Sequence, residues 1–256
     1  MILAARLPQH PARRPRQRGV ALFVVIVFVM LSMLLALWAS RTSFFNEMVV
    51  GNDTDYQRAF EAAQALLQDA ELDIRGEKAD GSLCMGTGDT CRTTTSAKIP
   101  LETKDIGLLL GTLNSETSKC RDGLCVKRTG RQDFWNYTST TSPAPSNLQP
   151  GEVPMEQLTV NGVAARYGQY TGAGTSDTNP ILNNTVAKQG GWYWVEVMPY
   201  VEDASKSGLI ANAAANQLAL HMSPNVVYRI TAIAKGRKPN TQVVLQQAYA
   251  RQKLKD

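Results

Sequence analysis

Four cysteines are the residues of this sequence best suited to chemistry, and they fall into two close pairs, Cys84 with Cys91 and Cys120 with Cys125. Cysteines spaced in this way form either disulfides or a tetrahedral zinc site, and four cysteines allow three disulfide connectivities. A zinc knuckle usually separates its two cysteines by about two to four residues, a spacing that only the second pair has. We expect disulfides with local pairing, because short loops close at the smallest cost in chain entropy.

Histidine-based catalysis has little support in this sequence. The chain has two histidines, His10 and His221, and His10 lies in a basic N-terminal segment. One remaining histidine excludes a multi-histidine metal site and leaves a single candidate for a catalytic triad. The sequence has no G-x-S-x-G, H-E-x-x-H or P-loop motif. We therefore predict a protein that is not an enzyme and carries no metal and no cofactor, with His221 as a structural histidine.

The acidic residues give no recognisable metal or acid–base motif. Asp53, Asp55 and Asp177 lack the D-x-D-x-D-G spacing of a calcium loop. Asp69 and Glu71 are two residues apart, so their side chains point away from each other on a helix. We interpret the carboxylates between Asp53 and Glu71 as part of a solvated helix face.

The segment that organises the chain is an apolar run without charge over residues 20–39. Twenty helical residues rise about 30 Å, which is the thickness of the hydrocarbon core of a bilayer. Apolar residues surround this helix rather than line one side of it, so the run predicts a membrane-spanning helix. Five arginines precede it: Arg6, Arg13, Arg14, Arg16 and Arg18. Positive charge stays in the cytoplasm, so everything after Ser40 is predicted to lie outside, in an oxidising compartment that favours disulfides.

The same arginines account for the net charge of the chain. The formal charge is +5, from 27 basic and 22 acidic residues. Removing the five leader arginines leaves 22 basic residues, which equals the number of acidic ones. Because the rest of the chain is neutral, its charge gives no argument for a nucleic-acid partner.

A secretory signal peptide is the competing interpretation of the apolar run. Signal-peptide cores are usually about 7–15 residues long and end at a small-x-small cleavage site. Here the core is longer, and Leu37-Trp38-Ala39 makes a poor site. The alternative cut lies before the apolar run, between Gly19 and Val20.

Downstream of the apolar run, the pattern predicts an α+β head on a long helix. Apolar residues recur at steps of three and four through residues 40–76, with Gly51 as a weak point and Gly76 as the stop. Strand patterns follow at 192–199, and a hairpin at 226–234 and 241–250 has a five-residue loop. Residues 123–138 could hold one or two strands, and residues 204–222 read as a surface helix or a long loop. The predicted domains are a leader at 1–19, a transmembrane helix at 20–39, an amphipathic helix at 40–76 and a periplasmic head at 77–256.

Three parts of the sequence together resemble the PilX-type minor pilins of type IV pili. The first is a basic leader that runs into the apolar helix through Arg-Gly-Val-Ala-Leu. The second consists of two short motifs, Phe60-Glu61-Ala62-Ala63-Gln64-Ala65 and Asp69-Ala70-Glu71, and the third is the C-terminal hairpin with Pro239-Asn240-Thr241-Gln242. The resemblance covers residues 16–76 and 226–251. It implies a long helix whose C-terminal half packs on an antiparallel sheet.

The resemblance also implies a maturation step and a set of partners. Prepilin peptidase would cut between Gly19 and Val20, and Val20 would receive an N-methyl group. Most pilins have a glutamate five residues into the mature helix, where this chain has Val24, a feature that it shares with the K-type minor pseudopilins. The implied partners are other minor pilins and the major pilin through the N-terminal helix, and a PilY-type tip adhesin through the loops at 77–97 and 138–190. The resemblance implies that the protein is first in the inner membrane and is later at the pilus tip.

A second class of protein shares the helix and the topology. A signal-anchored periplasmic binding or sensor module would stay in the inner membrane and would need no cleavage at Gly19. A secreted enzyme is disfavoured by the missing catalytic groups.

Overall fold

The computed structural model describes residues 20–84, 90–92, 99, 103–141, 145–174, 179–199 and 222–252. The chain forms two compact units that divide after Gly51. The leader at 1–19 and the segment predicted as a surface helix or loop up to residue 221 lie outside the described residues. His10, Asp177 and His221 lie outside them as well.

Helix α1, Val20–Arg75, spans both units without a break at Gly51. In the second unit its buried stripe consists of small or branched apolar residues: Ala59, Ala62, Ala63, Leu66, Ala70 and Ile74. The helix ends at Gly76, whose φ of 70° is left-handed. The N–H of Gly76 donates to the carbonyl of Asp73, and that of Glu77 donates to the carbonyl of Leu72. This Schellman pair confirms the predicted helix end and shows why glycine is needed there.

Five strands form a single sheet in sequence order, and they cover the predicted strand regions. Their bounds are β1 Cys120–Arg121, β2 Leu124–Val126, β3 Gly191–Pro199, β4 Met222–Lys235 and β5 Gln242–Gln252. Antiparallel pairing joins β1 to β2, β3 to β4 and β4 to β5, whereas β2 pairs with β3 in parallel. The α+β class and the C-terminal hairpin predicted from the sequence are confirmed, and the parallel pair is an addition to them.

The sheet is covered on both faces. On one face Tyr193, Val195 and Ile230 join the core that contains the buried stripe of α1. On the other face Trp192 and Trp194 pack with residues of a 3₁₀ helix, Phe134–Asn136, and of the short helix α3, Met155–Leu158. Seven consecutive residues of β3 are therefore buried, because each side of this strand faces a core.

Helix α2, Thr103–Ser115, falls in a segment that the sequence analysis did not assign. Ile106, Leu109 and Leu113 form its buried face at helical spacing. Gly107 and Gly111 interrupt the pattern and each lowers helix propensity by about 1 kcal/mol relative to alanine. Packing of the apolar face on the main core overrides that weak local preference.

Candidate assembly surface and buried polar anchors

The first unit of the chain presents an apolar helix surface that no part of its own unit covers. Every described side chain from Val20 to Val50 is exposed, including large ones such as Phe23 and Trp38. The helix is long and apolar enough to cross a membrane. Exposed apolar surface of this extent marks contact with lipid or with other proteins.

Two hydroxyl groups of this surface are satisfied within the helix. The Ser32 hydroxyl donates to the carbonyl of Phe28 at 2.8 Å, and the Thr42 hydroxyl donates to that of Trp38 at 3.0 Å. The first charged residue after Val20 is Arg41. Between Val20 and Ala39 a partner helix would therefore meet this surface through van der Waals contact, which is one of the forces that associate helices in a bilayer.

The predicted processing residues stand at the start of this surface. Gly19 lies outside the described residues, and Val20 is the first residue of α1. Val24 follows one turn later with 42% of its surface exposed. Cleavage after Gly19 and methylation of Val20 stay predictions.

In the second unit, a buried ion pair joins α1 to three other parts of the head. The Asp73 carboxylate accepts hydrogen bonds from Arg92 Nε and Nη2, each at 2.7 Å, and from the Tyr193 hydroxyl at 2.9 Å. Arg92 also donates to the carbonyl of Asp122, and its guanidinium lies 3.7 Å from the ring centre of Tyr170. Burial opposes the charge of Arg92, but the Asp73 carboxylate outweighs it and raises the pKa of Arg92.

A second buried aspartate, Asp69, lies one helical turn before Asp73. Its carboxylate accepts hydrogen bonds from the Gly168 N–H at 2.8 Å and from the Thr171 hydroxyl. Burial raises the pKa of Asp69 to about 6, against the lowering effect of these two donors, and the nearby charge of Asp73 adds to the rise. Asp69 thereby holds a loop that comes about a hundred residues later in the chain.

A third buried aspartate, Asp55, anchors the turn between β4 and β5. Its two carboxylate oxygens accept the N–H groups of Arg237 and Lys238, each at 2.9 Å. Burial alone would raise the pKa of Asp55, but these N–H groups, the Thr241 hydroxyl and the charge of Arg58 together lower it. The hairpin tip is thus fixed to the first turn of α1 in the head.

The prediction that Asp55 and Asp69 belong to a solvated helix face is wrong. Both side chains are buried, with relative exposures of 2%, because donors from distant loops satisfy their oxygens. A helical wheel contains a signal for this arrangement, since Asp55, Asp69 and Asp73 fall on the same side of the helix as the buried alanines. An aspartate inside an apolar stripe indicates a buried acceptor.

The four cysteines form two local disulfides in the structure, Cys84–Cys91 and Cys120–Cys125. The second joins directly opposed residues of β1 and β2 and is buried. The first ends at the residue before Arg92, and it therefore fixes the chain next to the buried ion pair. The zinc alternative requires four thiolates, which these bonds do not leave.

The opposite face of the sheet contains an ion pair that sequence reasoning missed. Glu196 is buried in β3, and its carboxylate accepts Arg229 Nε at 2.5 Å and the Arg128 N–H at 2.7 Å. The guanidinium of Arg128 lies 3.9 Å from the ring centre of Phe134. Glu196 and Arg229 are opposed in the β3–β4 register, so a correct strand alignment would have predicted this pair.

These anchors hold the fold together and do not resemble a reaction centre. Within the described ranges, no group of three or more histidine, cysteine, aspartate or glutamate side chains could hold a metal ion. Asp69, whose pKa is raised by burial, and Asp55, whose pKa is lowered by its hydrogen-bond donors, are each occupied by hydrogen bonds from backbone or hydroxyl groups.

Two family models match this chain. The model described as PilX N-terminal matches residues 18–68, and the model described as type IV pilus assembly protein PilX C-term matches residues 121–251. Together they cover more than half of the chain and include both the apolar helix and the five-stranded sheet. Searches of curated proteins and of solved structures gave no match.

Proposed function

The chain belongs to the PilX family of type IV pilus assembly proteins, and from that premise we propose that it is a minor pilin that primes pilus assembly from the tip complex. The family is one of structural assembly components and not of enzymes. The N-terminal apolar helix fits a single-pass inner-membrane pilin.

The observation that carries the tip position is the uncharged start of α1, with Val24 where most pilins have a glutamate. In the pilin family that carboxylate neutralises the N-terminal amine of a neighbouring subunit. A charge in hydrocarbon costs about 2.5–3.5 kcal/mol on insertion scales, so a carboxylate is retained there only where it has a partner. A subunit without it offers nothing to a subunit above, and other pilins therefore add beneath it.

The loops at 77–97 and 138–190 are the proposed contact with a PilY-type tip adhesin. Their described parts expose four large aliphatic side chains: Leu83, Leu148, Val160 and Val186. Asp69 fixes one of these loops through Gly168 and Thr171. Exposed apolar groups on loops held by a rigid scaffold are typical of protein-binding sites.

Before assembly, the proposed chain crosses the inner membrane once. The leader at 1–19 is cytoplasmic, residues 20–39 span the bilayer, and residues 40–76 continue the helix towards a periplasmic head at 77–256. Prepilin peptidase removes the leader between Gly19 and Val20, and Val20 is methylated. The apolar surface of α1 then packs with the helices of other minor pilins and of the major pilin.

Intact mass and N-terminal sequencing of the protein from native membranes test the first step. We expect a chain that begins at Val20 in peptidase-positive cells and at Met1 in cells without prepilin peptidase. A Gly19→Leu variant provides the matched control and should keep its leader in both strains. A chain that begins at Met1 in peptidase-positive cells would instead support the signal-anchored binding or sensor module.

Antibody labelling of extracted filaments tests the position. We expect label at one end of each filament. Label distributed evenly along the shaft would contradict the tip position while leaving the chain a pilus component.

A further inference from the structure

A cleft of about 790 Å³ opens beside the turn between β4 and β5. The turn forms one wall, from Lys235 to Gln242. The half-buried ring of Trp135 and the loop that contains Pro180 and Gln189 line the other sides. The cleft therefore combines an aromatic surface with side-chain amides and with the turn's own charged residues.

The charges that line the cleft are all positive among the described residues. Lys235, Arg237 and Lys238 line it, and no described aspartate or glutamate does. Lys238 Nζ donates to the neutral side chain of Asn52 at 2.9 Å, and Lys235 Nζ lies 5.8 Å from the ring centre of Trp192. None of these three side chains forms an ion pair with a described carboxylate.

The environment of Lys235 leaves its charge poorly compensated. Burial lowers the pKa of Lys235, and the charge of Lys188 lowers it further, while Glu156 acts in the opposite direction. An anion in the cleft would favour the charged form of Lys235. The chain outside its leader is neutral, so this positive cleft is a local feature and not a consequence of general basicity.

The turn is fixed in place before any ligand arrives. Asp55 accepts the N–H groups of Arg237 and Lys238, and the Gly236 N–H donates to the carbonyl of Thr241 at 2.8 Å. A side chain at Gly236 would collide with Asp55, so glycine is required for this close approach. Binding to a turn that is already ordered costs less entropy than binding to a loop that must first be ordered.

We propose that this cleft binds an acidic peptide segment of another pilus subunit, with carboxylates on Lys235, Arg237 and Lys238 and apolar groups on Trp135. That the partner is a pilus subunit rests on the function proposed above. Lys238 of the turn contacts Asn52, so the cleft lies beside the N-terminal end of the part of α1 that belongs to the second unit.

The composition of the cleft favours an acidic peptide over a nucleic acid. Binding to DNA depends on many phosphate contacts along a basic stripe, and it weakens steeply with salt. Here three cations come from one turn, in a chain whose charges balance outside the leader. Tryptophan and arginine are instead among the residue types that are enriched in protein interfaces.

A peptide titration tests the chemistry of the cleft. The full chain, ¹⁵N-labelled in detergent micelles, is titrated with a peptide of alternating Glu and Gly, with its Gln counterpart, and with a single-stranded DNA of equal length. We expect the Glu peptide alone to saturate shifts at Lys235–Gln242 and at the Trp135 indole. The double variant Arg237→Gln/Lys238→Gln should weaken its binding about fivefold to tenfold.

The control is Lys127→Gln/Arg131→Gln, which removes two exposed cations outside the cleft and should leave the affinity unchanged. The thermal unfolding midpoint of each variant separates loss of binding from loss of folding. Equal binding of the Glu and Gln peptides, or equal weakening in the two double variants, would overturn the proposal. Tighter binding of the DNA at the same residues would assign the cleft to nucleic acid instead.

Photo-cross-linking in cells tests the partner. We expect p-benzoylphenylalanine in place of Gln242 to cross-link to another pilus subunit, and the same probe in place of Ser115 to give no such product. A chain processed to Val20 that gives no cross-link at Gln242 would overturn the partner while the proposed function stands. A chain that keeps its leader would overturn the proposed function, and the peptide titration would still decide the chemistry of the cleft.

Discussion

Helix α1 has an apolar surface on each side of Gly51, and the two surfaces differ in what covers them. Before Gly51, large side chains such as Phe23, Leu35 and Trp38 are 67–70% exposed. After it, Ala59, Ala63 and Leu66 are completely buried. One helix thus presents an uncovered surface in the first unit and a covered one in the second.

The residue sizes on the two surfaces match this difference. Alanine predominates in the buried stripe of the head and lets the sheet approach the helix closely. Valine, leucine and phenylalanine predominate before Gly51, and side chains of this size are suited to fill the space between neighbouring helices or lipid chains. The first surface therefore requires a partner from outside the chain, and the second finds its partner within it.

The two surfaces also differ in how they specify a contact. The head side includes three buried aspartates whose hydrogen bonds are directional, and each accepts donors from a different distant segment. Between Val20 and Ala39 the first surface has no charge, and its one hydroxyl, that of Ser32, donates within the helix. Contact through these residues depends on shape alone, which permits one helix to pack against several kinds of subunit.

Breaking the buried ion pair should have the largest effect on the head. The substitution Asp73→Asn leaves the charge of Arg92 buried without its partner, which typically costs about 3–5 kcal/mol. We expect the free energy of unfolding to fall by that amount in denaturant titrations of the full chain in detergent micelles. Near-UV circular dichroism follows the buried Trp192 and Trp194.

Two variants control this measurement. Glu61→Gln removes an exposed carboxylate of the same helix and should change the free energy of unfolding by less than about 0.5 kcal/mol. Adding Arg92→Met to Asp73→Asn removes the stranded charge and should recover part of the loss. Equal effects of Asp73→Asn and Glu61→Gln would show that the buried aspartates do not specify the contact of helix and sheet.

Asp69 should give the head a smaller effect that depends on pH. Its pKa of about 6 in the folded chain lies above the ordinary value of 3.8, so the folded state holds this proton more tightly than the unfolded state. The stabilisation is complete below about pH 4 and is lost as pH rises to about 6, a change of about 3 kcal/mol at most.

The variant Asp69→Asn isolates this contribution, because its amide can accept from the Gly168 N–H and donate to the Thr171 hydroxyl without titrating. We expect the variant to gain stability relative to the unmodified chain by up to about 3 kcal/mol between pH 4 and pH 7. Denaturant titrations across that range measure the difference in free energy of unfolding between the variant and the unmodified chain. The contributions of all other titrating groups cancel in this difference. A difference that is independent of pH would contradict the raised pKa.

Local sequence signals were sufficient for the parts of the fold that depend on neighbouring residues. The uncharged run predicted the first surface of α1, Gly76 predicted its end, and the alternation around the 236–240 turn predicted β4 and β5. Each signal is a periodicity or a turn residue whose effect acts within a few positions. The family resemblance contributed Gly19, Val20 and Val24, which residue patterns alone do not single out.

The parts that the sequence analysis missed depend on residues far apart in the chain. Asp69 is buried because its donors arrive 99 and 102 residues later, and β2 pairs in parallel with a strand that follows a long connection. Helix α2 contains two glycines that lower its helix propensity, and it forms because its apolar face packs on the main core. Long-range partners of this kind leave no periodicity in the sequence.

Substituting Val24→Glu should have the smallest effect on the head. It is also the most direct test of the difference between the two surfaces of α1. Val24 is exposed in the structure, so we expect the free energy of unfolding to change by less than about 0.5 kcal/mol in the same denaturant titrations. The run over residues 20–39 would nevertheless gain a charged group, which it lacks.

The effect of Val24→Glu is expected in assembly instead. An unpaired carboxylate in hydrocarbon costs about 2.5–3.5 kcal/mol on insertion scales, and the N-terminal amine of a subunit above would relieve that cost. We therefore expect antibody to label the Glu variant along the shaft of extracted filaments, whereas Val24→Gln, matched in size but uncharged, stays at one end. If the Glu variant also stays at one end of the filament, contacts of the head determine the position of the subunit. The two surfaces of α1 then differ in burial alone.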